Sequence, residues 1–510
     1  MSASGARTPL DRASVCPMMP NADVLPSYLA IDLGASSGRG VIGTLDGERM
    51  VMHEVHRFRT PLVEEDGHLY WDADALWREI QLALRLALDE TPQLRSVSVD
   101  SWAVDYQPLD ASGRPIRRPY AYRDPRTHGR MYDALSRAGG AAAVYARTGI
   151  QFLPFNTLVQ IVADLDDEPE LVARTATRLL LADYFLCRLS GLAIAERTIA
   201  SSTQLVDAAS GLWAKDLIHA LGDEPARWAP IVAPGTVLGP VQRELVPHSV
   251  RELPRVIASC SHDTAAAVAA VPAIGAEPWA YISSGTWSLV GAELHAPVLT
   301  DAARDAGFTN EAGLDGTVRL LKNRTGMWVL DECIRQWNAE GDRIGYDALA
   351  REASAAAAPS RGIDLNAPPF LERGNMPAKI ADACAAAQVP VPTSRGTLVR
   401  LVLESLAQSY ARTLDELDAI TGRRTEVVHV VGGGAQNALL NQLTANVVGR
   451  RVVAGPIEAT VLGNLLVQAR TMGDVPTDMP LRELARRSSH LVEHSPMAPA
   501  RKPAPPVSVA

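Results

Sequence analysis

Two segments far apart in the chain are built alike, and this duplication constrains the fold more than any other feature of the sequence. Residues 28–33 form a short apolar run, residues 34–38 a turn of small residues, and residues 40–45 a second strand-like stretch. Asp46-Gly47 then reads as a hairpin turn into a third run at 50–55. Residues 279–282 are again a short apolar run, followed by the turn Ser283-Ser284-Gly285-Thr286 and the strand-like 287–294. One strand, Gly/Ser/Thr turn, strand unit in each half predicts two related α/β halves facing a cleft. The length agrees, because 510 residues exceed the roughly 250–300 at which a single core stops growing.

Other segments fit the outline. Residues 97–99 read as a strand ending at Asp100, and 256–259 as a buried strand entering Ser261-His262-Asp263-Thr264, with a helix starting at 265. Leu398, Leu401, Val402, Leu406, Tyr410, Leu414 and Leu417 recur at the helical period. Residues 427–431 form a strand running into Gly432-Gly433-Gly434, with a helix after Asn437. The expected organisation is a flexible extension over 1–26, domains over 27–252 and 253–493, and a disordered Pro-rich tail over 494–510.

A formal net charge of −9 offers nucleic acid no basic stripe. Five scattered cysteines (Cys16, Cys187, Cys260, Cys333, Cys384) give no CxxC pair and no zinc spacing, which reads as free thiols in a reducing cytosol. The first residues hold no signal-like apolar stretch, and Pro272 and Pro278 break the richest apolar run. The expectation is a cytoplasmic protein with small-molecule partners and no membrane or nucleic-acid partner, as monomer or homodimer.

Gly38-x-Gly40-x-x-Gly43 matches the dinucleotide fingerprint GxGxxG in form. That fingerprint must open a helix, whereas the residues after it here are β-rich and contain a hairpin turn. The Walker A pattern is also absent. What remains at the first turn is Asp32-Leu33-Gly34-Ala35-Ser36-Ser37-Gly38-Arg39: an acid at a strand end, small residues that let backbone approach a polyphosphate, and a cation. A plain hairpin that needs its glycines explains this segment equally well. Ser284-Gly285-Thr286 offers the same chemistry from the other half.

Asp263 opens the helix after the second buried strand. At a helix N-terminus a carboxylate is favoured as the anion, able to accept a proton from a hydroxyl. The competing reading is a helix cap, worth about 1 kcal/mol. Asp100, Trp102 and Asp105 fit a sugar pocket or a buried strand end; Arg123, Asp124 and Arg126 fit a substrate contact or an internal ion-pair network. Phe152 and Phe155 serve equally as pocket wall or packing.

DLGASSGR, SHDTA, YISSGTWSL and VVGGGAQNALLNQL, in that order, resemble the motif series of the FGGY carbohydrate kinases. VDSWAVDY, AYRDPRT, GIQFLPFNTL, TNEAG, LLKNRTGMW and AGPIEATVLGN are similar to the rhamnulokinase branch of that family. The resemblance spans nearly all of 28–465. It implies a duplicated ribonuclease H-like, actin-like ATPase fold whose two domains close over ATP and a ketose. It implies phosphorylation of L-rhamnulose at its 1-hydroxyl in L-rhamnose degradation, with ATP and Mg2+. By similarity, Asp32 helps hold the metal; Ala35, Ser36, Ser37, Gly38, Arg39 and Thr286 embrace the phosphates; Gly433 and Gly434 support the adenosine. Ala103, His262, Thr264 and Asn323 face the sugar, and Asp263 is both substrate contact and general base.

Three residues depart from the family pattern: Ala103 in place of Gly, Ile199 in place of Asn, and Asp331 where an amide is usual. Another ketose kinase (fuculose, xylulose or related) is therefore an alternative, as is an actin-like ATPase without a sugar. A NAD-dependent oxidoreductase rests only on the rejected GxGxxG match.

Overall fold

The structure, a computed structural model, describes residues 25–497. The expectations for 1–26 and 494–510 lie almost wholly outside the described residues. Strand-forming segments of the first half are β1 (Ser27–Leu33), β2 (Ser37–Asp46), β3 (Arg49–Arg59), β4 (Ser96–Ser101), β5 (Thr236–Pro240) and β6 (Arg255–Ala258). They form one sheet in the order β5-β6-β4-β1-β2-β3. The second half supplies β7 (Trp279–Ser284), β8 (Trp287–Leu294), β9 (Thr309–Ala312), β10 (Val318–Thr325), β11 (Val427–Val431), β12 (Arg451–Ala454) and β13 (Val492–His494). Their order is β9-β10-β8-β7-β11-β12-β13.

Apart from the added edge strand β9, the second sheet repeats the first. In each, three strands meander antiparallel, two more add parallel to the first of them, and an antiparallel edge closes the far side. The expected duplicated two-domain α/β fold is therefore present. The chain crosses between sheets later than the expected 252/253 junction. Strand β6 pairs in parallel with β4 of the first sheet through Arg255↔Ser96 and Val256↔Val97, so the crossing falls after it. A lone buried strand reads the same whichever sheet it joins, so its sequence does not reveal its partner.

Of the helices, five matter here: α1 (Ala73–Glu90), α2 (Arg197–Ser201), α3 (Asp263–Ala269), α4 (Arg395–Thr421) and α5 (Ala459–Thr471). Helix α1 starts where Asp72 caps the Ala75 amide, and buries Leu76, Ile80, Ala83, Leu84 and Ala87 on a single 3.6-period face. Helices α3 and α5 follow the equivalent strands β6 and β12 and cross each other between the sheets. The crossing is close, since a Cβ on Gly463 would lie 1.8 Å from the Ala266 carbonyl oxygen. Tyr28, Ala30 and Val41 of the first sheet, α3, α5, and Tyr281 and Val431 of the second share one buried apolar cluster. That shared core fixes the two halves against each other at the floor of the cleft.

Candidate active site

The chemistry begins with register. Strands β1 and β4 run parallel with Asp32 directly beside Asp100. Strand β6 lies on the other side of β4, and the backbone beyond it continues the pairing through Ser101↔His262. Three neighbouring parallel strands thus end in Asp32, Asp100 and Asp263. Clustering acids at strand ends raises the cost of ionising Asp100 and Asp263.

Asp263 is the first residue of α3, and His262 occupies the cap position without a side-chain cap bond. The cap reading of Asp263 is therefore set aside. Its carboxylate accepts from the Thr264 amide at 2.5 Å and the Thr264 hydroxyl at 3.0 Å, and a third of the side chain is exposed. Burial first, then the Asp32 charge, push its pKa up to about 7. The helix terminus therefore does not hold Asp263 as the anion, contrary to the sequence-based expectation; desolvation on a short helix wins. Asp100 is fully buried, and burial followed by Asp32 raises its pKa well above the usual carboxylate range. One of its oxygens accepts from Asn464 of α5 at 2.6 Å, while the other, Oδ1, has no partner among the described residues.

At the first turn, the Gly34 amide donates to the Ser37 carbonyl, leaving Ala35 half-buried and Ser36 and Ser37 exposed. Arg39 pairs with Asp32 at 2.9 Å and with Glu458, the residue before α5. Gly38 is buried in β2, and a Cβ there would strike the Phe58 ring at 2.3 Å. Its missing Cβ is what lets the Phe58 ring pack there. The second turn closes through the Gly285 amide on the Trp287 carbonyl. Strands β7 and β11 pair in parallel, which lays Gly432-Gly433-Gly434 against that turn. A Cβ on Gly434 would fall 2.0 Å from Ser284 Oγ, whereas Gly433 faces open space. The Gly432 amide donates to the Pro456 carbonyl, two residues before Glu458. A run of contacts thus links the first turn to the second: Arg39, Glu458, Pro456, Gly432, Ser284.

His262 is buried, and burial and then the Arg319 charge hold its imidazole neutral. Its Nε2 lies 3.9 Å from the Glu311 carboxylate, which Arg319 approaches at 3.1 Å. Asn323 donates to Gln151 across the two halves at 3.0 Å. Ala103 stands half-buried between the buried Trp102 and Val104, and Val104 takes φ +70°, a conformation rare for a β-branched residue. Asp105 accepts from the indoles of Trp71 (2.6 Å) and Trp102 (2.9 Å), so it organises a buried aromatic layer. Asp124 and Arg126 are internal: Arg126 and Arg117 both bind the buried Asp164. Ile199 is wholly buried, and Asp331 hydrogen-bonds Tyr346.

The acids suit a divalent cation. Asp100 Oδ1 is buried and unpartnered beside a second carboxylate, the oxygen chemistry that Mg2+ selects. Among the described residues no group of three or more such ligands encloses a metal alone. Sequence reasoning placed Asp100 at the sugar or at a strand end; strand pairing, which no local pattern reports, sets it beside Asp32.

The model for the FGGY family of carbohydrate kinases, N-terminal domain, matches residues 27–270, and that for the C-terminal domain matches 280–472. A rhamnulokinase of Bacteroides thetaiotaomicron is 39% identical over 92% of this chain and 96% of its own length. One of Klebsiella pneumoniae strain 342 is 41% identical over 92% and 94%. Among solved structures, a gluconate kinase from Lactobacillus acidophilus superposes with a TM-score of 0.76 at 16% identity, over 93% of this chain and 94% of that one. Plasmodium falciparum glycerol kinase with ADP gives 0.73 at 16%, over 92% and 94%.

Proposed function

Because this chain belongs to the FGGY family of carbohydrate kinases, we propose that it transfers the γ-phosphoryl group of ATP to the 1-hydroxyl of L-rhamnulose, giving L-rhamnulose 1-phosphate and ADP in L-rhamnose degradation. The observation that carries the reaction is Asp263, a carboxylate at the cleft with a pKa of about 7, set among the ends of three parallel strands. The sugar assignment is supported by rhamnulokinases about 40% identical over nine-tenths of the chain.

Phosphoryl transfer asks a protein mainly for alignment, charge neutralisation and a proton acceptor. The bond from O1 to the γ-phosphorus forms as the bond from that phosphorus to the β-phosphate oxygen breaks. The hydroxyl proton passes to Asp263, and ADP leaves. Such a base contributes about 10²–10⁴-fold. His262, Thr264, Ala103 and Asn323 orient the ketose. Ala35, Ser36, Ser37, Gly38, Arg39 and Thr286 seat the phosphates, and Gly433 and Gly434 support the adenosine. Asp32 and Asp100 would hold Mg2+, which when bound neutralises phosphate charge. The first sheet, whose strands run through Ala258, carries the first phosphate turn and most of the sugar pocket, and the second sheet, from Trp279 onward, the nucleotide seat. Closure of the halves excludes water from the transferring group. The enzyme works in the cytoplasm, as monomer or homodimer.

An ADP-release assay across L-rhamnulose, L-fuculose and D-xylulose tests the substrate. The highest kcat/KM is expected with L-rhamnulose. A clear preference for another ketose would overturn the sugar assignment and point to Ala103 as the residue that reshaped the pocket.

A further inference from the structure

Helix α2 is five residues long, yet it and its cap hold the two consecutive amides just before Asp263. Glu196 caps it, with Oε1 accepting from the Thr198 amide at 2.9 Å. The other carboxylate oxygen reaches outside the helix and accepts from the Ser261 amide at 3.0 Å. The Thr198 hydroxyl donates to the same Glu196 oxygen and accepts from the His262 amide at 3.2 Å. Glu196, Thr198 and Ser261 are wholly buried, and His262 very nearly so. Asp183 fixes this group from behind, taking the Glu196 amide on both oxygens at 3.2 Å. At the far end of α2, Ser201 Oγ accepts from the Ala312 amide of β9 at 2.9 Å, and the neighbouring Glu311 faces His262.

We propose that Glu196 and Thr198 are positioning residues for phosphoryl transfer: they hold the consecutive amides of Ser261 and His262, and thereby set where the Asp263 carboxylate and the His262 ring meet the sugar. The physical reason is economy of donors. A strand end turning into a helix leaves its amides without ladder partners, and a buried amide must find an acceptor. Here the two acceptors come from one short buried turn of another element, which fixes both amides at once. A misplacement of about 1 Å at reacting atoms can cost on the order of 100-fold in rate. The inference rests on the kinase reading above and adds two residues to it.

Thr198→Val and Thr198→Ser separate position from packing, since valine keeps the shape without the hydroxyl and serine keeps the hydroxyl without the methyl. The assay uses whichever ketose ranks first in the panel. Thr198→Val is expected to lower kcat about 10- to 100-fold while the Kd for ATP stays near wild type and the melting temperature falls by only a few degrees. Thr198→Ser should stay within about threefold of wild type on the same principle. Glu196→Gln, whose amide group cannot accept from Ser261 or Thr198 on one side, should follow the valine pattern. Equal losses in the serine and valine variants, an unaffected valine variant, or loss of ATP binding together with kcat would each overturn the inference. No turnover of any ketose by the wild type would instead remove the kinase reading, and this inference with it.

Discussion

The two sheets share a topology and differ at their parallel strand ends. In the first half, β1, β4 and the continuation of β6 end in Asp32, Asp100 and Asp263. Their counterparts in the second half, β7, β11 and β12, run into Ser284-Gly285, Gly432-Gly433-Gly434 and Gly455-Pro456. One half presents carboxylates and an arginine; the other presents small neutral residues in mutual contact. On the proposed reading, the same scaffold carries acid, base and cation chemistry on one side and a tight backbone seat on the other. Charge that must move belongs on groups with shifted pKa values, whereas a nucleotide that must only be held needs shape and backbone donors.

On that division, substitutions at the three strand-end acids change turnover, and those in the glycine loop and second turn change nucleotide affinity. The largest effect belongs to Asp263→Asn, which keeps the shape and removes the proton acceptor. Its kcat should fall by about 10²–10⁴-fold, with ATP binding by calorimetry unchanged. Turnover within about tenfold of wild type would move the base elsewhere. Next is the pH profile. With the pKa of Asp263 raised to about 7 by burial and Asp32, the accepting form predominates only above that pH. Because kcat/KM reports the free enzyme, it should rise roughly tenfold per unit up to about pH 7 and then level. A flat profile from pH 5.5 to 8 would break the assignment of a shifted carboxylate to the first half.

Much of this was legible in the sequence, for reasons that vary by residue. The run at 427–431 and the helix over Leu398–Leu417 were readable because their apolar periods are local, and the structure has β11 and α4 there. Both small-residue turns were readable because strand, turn and strand lie within a few residues. Asp100 was not, because its neighbour Asp32 comes from a parallel pairing across the length of α1. The junction near 252 was not, because a buried strand carries no mark of its sheet. The GxGxxG match also resolves in space: Gly38 makes room for Phe58 and Gly43 for Leu465 of α5, where a Cβ would approach to 2.6 Å. The raised pKa of Asp263 was missed because helix position is a local property and burial is not.

The smallest and most diagnostic effect concerns Gly434. A methyl there would sit 2.0 Å from Ser284 Oγ and 2.5 Å from Ser284 Cβ, both buried at the contact between the glycine loop and the second turn. The loop must move away from the turn by a fraction of an ångström, and overpacking of this kind costs about 1–3 kcal/mol. Where the strain is relieved decides the phenotype. If the second half is only a seat, the displaced Thr286 turn and Gly433 lose contact with the nucleotide, and the KM for ATP in Gly434→Ala rises about tenfold. The KM for the ketose and the pH limb stay put, because Asp32, Asp100 and Asp263 hang from the other sheet. If kcat falls as much as ATP affinity, the second turn takes part in aligning the transferring phosphate, and the division between a reacting half and a holding half fails. Gly34→Ala is the matched control in the first turn, where a Cβ would meet the Ser37 carbonyl oxygen at 2.9 Å. There, in a turn that seats the phosphates and adjoins Asp32, the loss should fall on kcat as well as on the KM for ATP.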